Sequence, residues 1–230
     1  MREHYIITID GPAGSGKSTA AQGLARRLGI RYFNSGALYR AIACLARRDG
    51  IALEDARAIV ETARRTKFET RTVEGAERVF LDGEDVTDRL FHNDVSREVW
   101  KVADPPEIRR EVGRLARELN AGVSFVTEGR DQGTEVFPEA RVKFYLDARP
   151  EVRAERRRLE LEARGQTLAR EEILKQILER DHRDRSRPVG ALRPAPDAMV
   201  VDDSDLTAEE TARTLWALAK EKLRTEMTSD

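Results

Sequence analysis

Short apolar runs alternate along the chain with longer stretches in which apolar residues recur every three or four positions. The runs at 5–9, 31–33, 123–127, 142–146 and 198–201 have the length and pattern of buried strands. The longer stretches at 17–28, 37–48, 105–119, 150–163 and 208–223 read as amphipathic helices. Gly29 and Gly50 stand where helix C-caps fall, and Thr207 with Glu210 forms a capping-box pattern before the last helix. Strands that alternate with helices predict a parallel sheet with helices on both faces, an α/β fold.

Two regions depart from this rhythm. Residues 67–90, "KFETRTVEGAERVFLDGEDVTDRL", alternate with a period of two around Glu74–Gly75 and again near Asp82–Gly83, which predicts a small antiparallel insertion. Residues 153–187 keep a helical pattern but are dense in charge. No internal repeat, low-complexity tract or long linker interrupts the chain.

Composition narrows the partners. The chain has 230 residues, 40% of them apolar, and a formal net charge of −1, which gives no general case for nucleic acid or membrane. Cys44 is the only cysteine and cannot form an internal disulfide, which fits a cytoplasmic protein. No signal-peptide pattern and no membrane-length apolar run is present. The basic residues are 34 arginines and only seven lysines. Arginine is the side chain suited to bidentate contacts with phosphate and carboxylate.

The first strand runs into "YIITIDGPAGSGKST". Gly11, Pro12, Ala13, Gly14, Ser15, Gly16, Lys17 and Ser18 match G-x-x-x-x-G-K-[ST], and Thr19 continues into a helix-forming run. Strand, glycine loop and helix together make a phosphate-binding loop for ATP: backbone N–H groups turn inward and the helix adds its positive end. Lys17 is expected at the β- and γ-phosphates, and the Ser18 hydroxyl on Mg²⁺. The N-K-x-D motif of GTPases is missing. "KFYLDARP" lacks the Asp-Glu ending of the ABC and AAA ATPases. A small-molecule kinase with a second, acceptor pocket remains.

"ERDHRDRSR" places Arg180, Arg183 and Arg187 at i, i+3 and i+7, on one helix face, with Asp181 and Asp184 on an adjacent one. Arg153, Arg156 and Arg157 have similar spacing. Such a segment is either a solvated, salt-bridged helix or a lid whose arginines neutralise a transferring phosphoryl group. Next to a phosphate loop the lid is the expected role, with Lys17, Arg130, Arg153, Arg157, Arg183 and Arg187 as the catalytic cations. Ser35 and Arg40, in "FNSGALYR", follow the second strand at the edge where α/β sheets bind ligands; Ser35 as a plain N-cap and Arg40 as a surface charge fit equally well. Arg130 and Asp131, in "VTEGRDQGT", follow the third strand, either as a phosphate ligand and an acceptor for a hydroxyl or amino group or as an incidental ion pair in a turn.

These residues resemble the bacterial cytidylate kinases, P-loop enzymes that phosphorylate CMP and dCMP with ATP. "ITIDGPAGSGKST", "NSGALYRA", "FLDGEDVT", "TEGRDQGTEVFPEA", "VKFYLDARPEVRAERR", "ERDHRDRSR" and "DAMVVDDSDLT" carry the resemblance, from about residue 5 to about 224. It implies a three-layer α/β/α fold with a five-stranded parallel core at about 1–35, 120–150 and 190–230. It also implies a monophosphate-binding region at about 36–119, containing the β insertion at 67–90, and a helical lid at about 153–187. By the same resemblance Ser35 and Arg40 belong to the acceptor site, with Arg40 at the CMP phosphate. Arg109 reads the cytosine, Arg130 and Arg187 bind phosphate, Asp131 contacts the base, and Arg180 with Asp184 lies near the pentose. The expected state is a monomer working with ATP, Mg²⁺ and CMP or dCMP. The chain departs from the family pattern at Asn34, usually Asp, and at Trp100, where many members carry a small serine.

Overall fold

The computed structural model describes residues 4–73, 76–163 and 165–227. In chain order the first half holds β1 (Ile6–Asp10), α1 (Lys17–Leu28), β2 (Arg31–Asn34), α2 (Ser35–Arg48), α3 (Ala56–Arg65), β3 (Phe68–Val73), β4 (Ala76–Leu81), β5 (Glu84–Asp85), α4 (Thr87–Leu90), α5 (Asn93–Ala103) and α6 (Pro106–Leu119). The second half holds β6 (Phe125–Gly129), a π-helical turn at Gln132–Val136, β7 (Val142–Asp147), α7 (Pro150–Glu162), α8 (Arg170–Ser186), β8 (Met199–Asp202) and α9 (Ala208–Met227). The chain forms two compact units, one from Met1–Tyr32 with Ser124–Asp230 and the other from Phe33–Val123.

The first unit is built on a five-stranded sheet in the order β2-β6-β1-β7-β8. β1 lies between β6 and β7, parallel to both, and β7 pairs parallel with β8. Ile7, Ile9, Val126, Val142, Phe144 and Leu146 pack with Ala20, Ala21 and Leu24 of α1 and Leu215 and Ala219 of α9 in one buried cluster. Gly23 lets α1 and α9 touch, because a Cβ there would lie 2.8 Å from the Ala212 Cβ. All five expected strands are present, each running past the end of its apolar pattern. The extra positions are the polar or small residues Asp10, Asn34, Glu128, Gly129, Asp147 and Asp202. Backbone pairing continues where apolar patterning stops: Asp10 still faces Gly129, and Asp147 faces Asp202. These carboxyl ends are where an open α/β sheet presents its ligand groups.

Helices α7 and α8 pair around a small core of their own, Ala154, Leu161, Ile173 and Ile177. The capping box at α9 forms as expected: Thr207 N–H donates to Glu210 Oε2 at 2.9 Å, and Glu210 N–H to Thr207 Oγ1 at 3.3 Å.

In the second unit β3, β4 and β5 make the antiparallel insertion. Its Asp82–Gly83 turn has both residues in the left-handed region, φ 50° and 87°, the conformation of a two-residue hairpin turn. The turn expected at Glu74–Gly75 lies outside the described residues. Three further helices, α3, α4 and α5, go beyond the expected set, and α4 replaces strand at the end of the 67–90 insertion. Asp55 caps α3 by accepting the Ala58 N–H at 3.0 Å, and Ile59, Val60 and Ala63 are its buried face. α5 turns Val95 and Val102, seven positions apart, to the interior.

Candidate active site

The phosphate loop connects β1 to α1. Gly11, at φ +152°, passes so close to β7 that a Cβ would lie 2.0 Å from the Leu146 carbonyl oxygen, so only glycine fits. Lys17 opens α1 and is 5% exposed. Its ammonium donates to the loop's own Pro12 carbonyl at 2.5 Å and to Ser15 Oγ at 3.3 Å. Burial pushes its pKa down to about 7, helped by the nearby Arg130 cation and opposed by Glu128. Lys17 is therefore held inside the loop by neutral acceptors, and a bound phosphate would compete with them for its charge.

Ser18 donates its hydroxyl at 2.8 Å to Oε1 of Glu128, the penultimate residue of β6. A hydroxyl and a carboxylate at a phosphate loop are hard oxygen donors of the kind Mg²⁺ takes. That ion keeps waters and substrate phosphates as its other ligands and does not need a full protein cage. Among the described residues, no cluster of three or more His, Cys, Asp or Glu side chains forms such a cage elsewhere. The residues present fit the ion.

Asp10, at the end of β1, is buried and accepts two backbone N–H groups, Gln132 at 2.8 Å and Gly133 at 2.7 Å, one on each oxygen. Burial raises its pKa to about 7 against the pull of those two hydrogen bonds, and Asp131 adds to the rise. Asp10 thus ties the phosphate-loop strand to the Arg130–Asp131 loop and its π-helical turn.

Arg130 donates from Nε to Asp184 Oδ2 at 2.8 Å, and Arg187 Nη2 lies 2.6 Å from Asp184 Oδ1. One carboxylate on α8 therefore organises two of the expected phosphate arginines. Burial acts to raise the Asp184 pKa, but Arg130, Arg187 and Arg180 together hold it below its ordinary value. Asp131 is buried beside them. On α8 the buried face reads Ile173, Ile177, Asp181, Asp184, while Arg180 and Arg183 are exposed. The acids, not the arginines, face inward. Arg157 is also exposed and pairs with Glu160 at 2.8 Å.

Arg153 stands apart from these lid arginines. It is 2% exposed and lies beneath the phosphate loop, bound to the Ala13 and Ala148 carbonyls and to Asp181. Its position four residues before Arg157 does not bring it to the same surface, because its guanidinium is drawn into the interior by carbonyls from two loops.

In the second unit the α2 N-cap is Asn34, whose Oδ1 accepts the Ala37 N–H at 3.3 Å. Ser35 is the first helical residue and is buried, which corrects the N-cap reading of Ser35. Arg40 donates to the Gly36 carbonyl at 3.2 Å, with its guanidinium 5.4 Å from the Phe91 ring centre. Arg109 is buried, donates to the Ala103 carbonyl at 2.7 Å and lies 5.4 Å from the Tyr39 ring centre. Stacking on Tyr39 limits where that guanidinium can point. Trp100 is 45% exposed on α5.

Three groups in these arrangements lie inside the quoted motifs without being assigned a role by them: Asp10, Glu128 and Asp181. Each had a faint signal. Asp10 and Glu128 are carboxylates closing apolar strands, and Asp181 continues the Ile173–Ile177 stripe.

Comparison with known proteins places the chain in a family. The family model described as cytidylate kinase matches residues 7–221. The cytidylate kinase of Rhodopirellula baltica is 41% identical over 216 residues, covering 94% of this chain and 93% of that protein. That of Pelotomaculum thermopropionicum is 44% identical over 218 residues, covering 94% and 96%. Among solved structures, an uncharacterized protein from Eubacterium ventriosum is 13% identical, with a TM-score of 0.50 over 95% of this chain and 99% of that one, a likeness of fold alone. A family model spanning nearly the whole chain, with relatives above 40% identity over almost their full length, establishes that the chain belongs to the cytidylate kinase family.

Proposed function

We propose that the protein transfers the γ-phosphoryl group of ATP to CMP and dCMP, giving CDP and dCDP for pyrimidine nucleotide metabolism. The observation that carries this reading is Asp184 holding Arg130 and Arg187, in the unit that also bears the phosphate loop. A nucleotide switch has no use for a second anion-binding group of that kind.

ATP would lie on residues 11–19, with Lys17 leaving Pro12 to meet the β- and γ-phosphates. Mg²⁺, held through Ser18 and Glu128, would screen the phosphate oxygens. Arg40, Arg130 and Arg187 would bind the CMP phosphate, Arg109 and Asp131 the cytosine, Arg180 and Asp184 the pentose, with Ser35 in the same acceptor set. A CMP phosphate oxygen attacks the γ-phosphorus, and the bond from that phosphorus to the β,γ-bridging oxygen breaks to release ADP. The nucleophile is already an anion, so no general base is needed. Charge in the transition state is met by Lys17, Arg130 and Arg187, with Arg157 and Arg183 supplied by the lid. We take residues 36–119 as the monophosphate-binding region and 153–187 as the lid of a monomer acting in the cytoplasm.

Cytosine offers an amino donor and ring acceptors. A carboxylate and a guanidinium aimed at those groups reject bases that lack them, because buried polar partners would be left unpaired. A steady-state panel of CMP, dCMP, UMP and AMP tests the assignment. CMP and dCMP should give the highest kcat/KM; equal or better turnover of UMP or AMP would overturn it in favour of another small-molecule kinase.

A further inference from the structure

Arg153 touches three segments with one guanidinium. Nη1 donates to the Ala13 carbonyl in the phosphate loop at 3.0 Å, Nε donates to the Ala148 carbonyl after β7 at 2.9 Å, and Nη2 lies 2.7 Å from Asp181 Oδ2 on α8. Both side chains of the ion pair are 2% exposed. Such a pair is a poor source of stability, since desolvation of both charges cancels much of their attraction. Its geometry suggests another use.

The peptide joining Ala13 to Gly14 is planar and trans, so its C=O and N–H point opposite ways. Drawing the Ala13 carbonyl outward onto Arg153 turns the Gly14 N–H inward, toward the space the loop encloses. Gly14, at φ +78°, rests on the same side chain: a Cβ there would lie 3.2 Å from the Arg153 Cβ. At the other end, Asp181 is one turn before Asp184 on the same buried face of α8, and Asp184 holds Arg130 and Arg187.

We propose that Arg153 and Asp181 are positioning residues that keep the inward amide of the phosphate loop and the arginine-bearing helix α8 in one register. A bound triphosphate that fixes the loop thereby fixes α8. The kinetic consequence rests on the phosphotransfer reading above; the structural coupling does not.

Hydrogen exchange read by mass spectrometry, with the full chain and ADP as the probe, tests the coupling. In the wild type, ADP should slow exchange in peptides covering both 11–19 and 177–186. In Asp181→Asn the loop should keep its protection and α8 should lose it. Turnover with ATP and CMP should fall by about 10²-fold, the cost of a small misplacement, with KM for ATP within about threefold. Asp181→Glu should recover part of both signals. Because Asp181→Asn leaves a buried cation, Arg153→Met with Asp181→Leu serves as the second variant. It should fold, with a melting temperature lowered as the Ala13 and Ala148 carbonyls lose their donor, and still lack α8 protection. Protection of α8 that is absent in the wild type, or that survives in the double variant, would overturn the proposal. So would loss of loop protection in Asp181→Asn, where Arg153 still holds the Ala13 carbonyl. A wild type that shows the coupling but leaves CMP unphosphorylated would sink the kinase reading alone.

Discussion

On the phosphotransfer reading proposed above, the phosphate loop and the C-terminal end of α8 both serve phosphate, and they do so with different material. In the loop the ligand groups are backbone amides, set by glycines and by a carbonyl fastened to Arg153. The single side-chain cation, Lys17, waits on the Pro12 carbonyl. At the end of α8 they would be the guanidiniums of Arg130, from the loop after β6, and Arg187, just past the helix, both held by Asp184, which faces the interior. Amides fixed by covalent geometry need little support. Guanidiniums have many rotamers, so a buried acid must hold each in place, and Asp184 does this for two at once. An arginine-rich helix at an anion site can therefore turn its acids inward and its arginines toward solvent.

The comparison breaks most visibly at Lys17. Lys17→Met should lower turnover with ATP and CMP on the order of 10²–10³-fold, the cost of losing one charged group from the transition state. Thermal stability should be unchanged or higher, because the ammonium is buried against its preference. Retained turnover in a steady-state assay would remove Lys17 from phosphoryl transfer. Asp184→Asn attacks the other region, and its signature should be the reverse. A neutral amide removes the charge that Arg130 and Arg187 share and the hydrogen bond of at least one of them. Stability in urea should drop by about 3 kcal/mol, KM for CMP should rise, and ATP affinity should change little. An unchanged KM for CMP would show that the two arginines do not need their carboxylate.

Legibility from the sequence follows the same division. The phosphate loop is written in consecutive letters because its chemistry lives in the backbone and in glycine positions. The five strands are legible as apolar runs, yet their last residues are not, since pairing continues into Asp10, Asn34 and Asp147 after the apolar pattern has ended. Helix α5 has a readable stripe in Val95, Val99 and Val102, but three charged residues within that span obscure it. Contacts between side chains distant in sequence are what no local pattern contains. Ser18 meets Glu128 across 110 positions, Asp10 meets Gln132 across 122, and Arg153 meets Ala13 across 140. Arg153 shows the consequence: spacing groups it with Arg157, and tertiary contacts take it beneath the loop.

The subtlest difference between the two regions is in protons. Lys17 is lowered to about 7 and Asp10 raised to about 7, both chiefly by burial. Arginine stays protonated across the working range, and Asp184 is held below its ordinary value by the arginines around it. The loop should therefore exchange protons with solvent near neutrality, and α8 should not. At about pH 8, above both loop values, the free protein carries mostly neutral Lys17 and ionised Asp10. Negative phosphates favour ammonium over amine at Lys17 and carboxylic acid over carboxylate at Asp10, so both groups are pushed toward the protonated form. ATP binding should take up protons at pH 8, and the uptake should fade toward pH 6, where both groups are already protonated. ATP affinity should accordingly weaken as pH rises from 7 to 9. Calorimetry in buffers of different ionisation enthalpy measures the uptake directly. Lys17→Met should abolish its largest part, Asp10→Asn a smaller part, and Asp184→Asn none of it. An uptake that disappears in Asp184→Asn but survives in Lys17→Met would place the titrating groups on α8 and reverse the division drawn between the two regions.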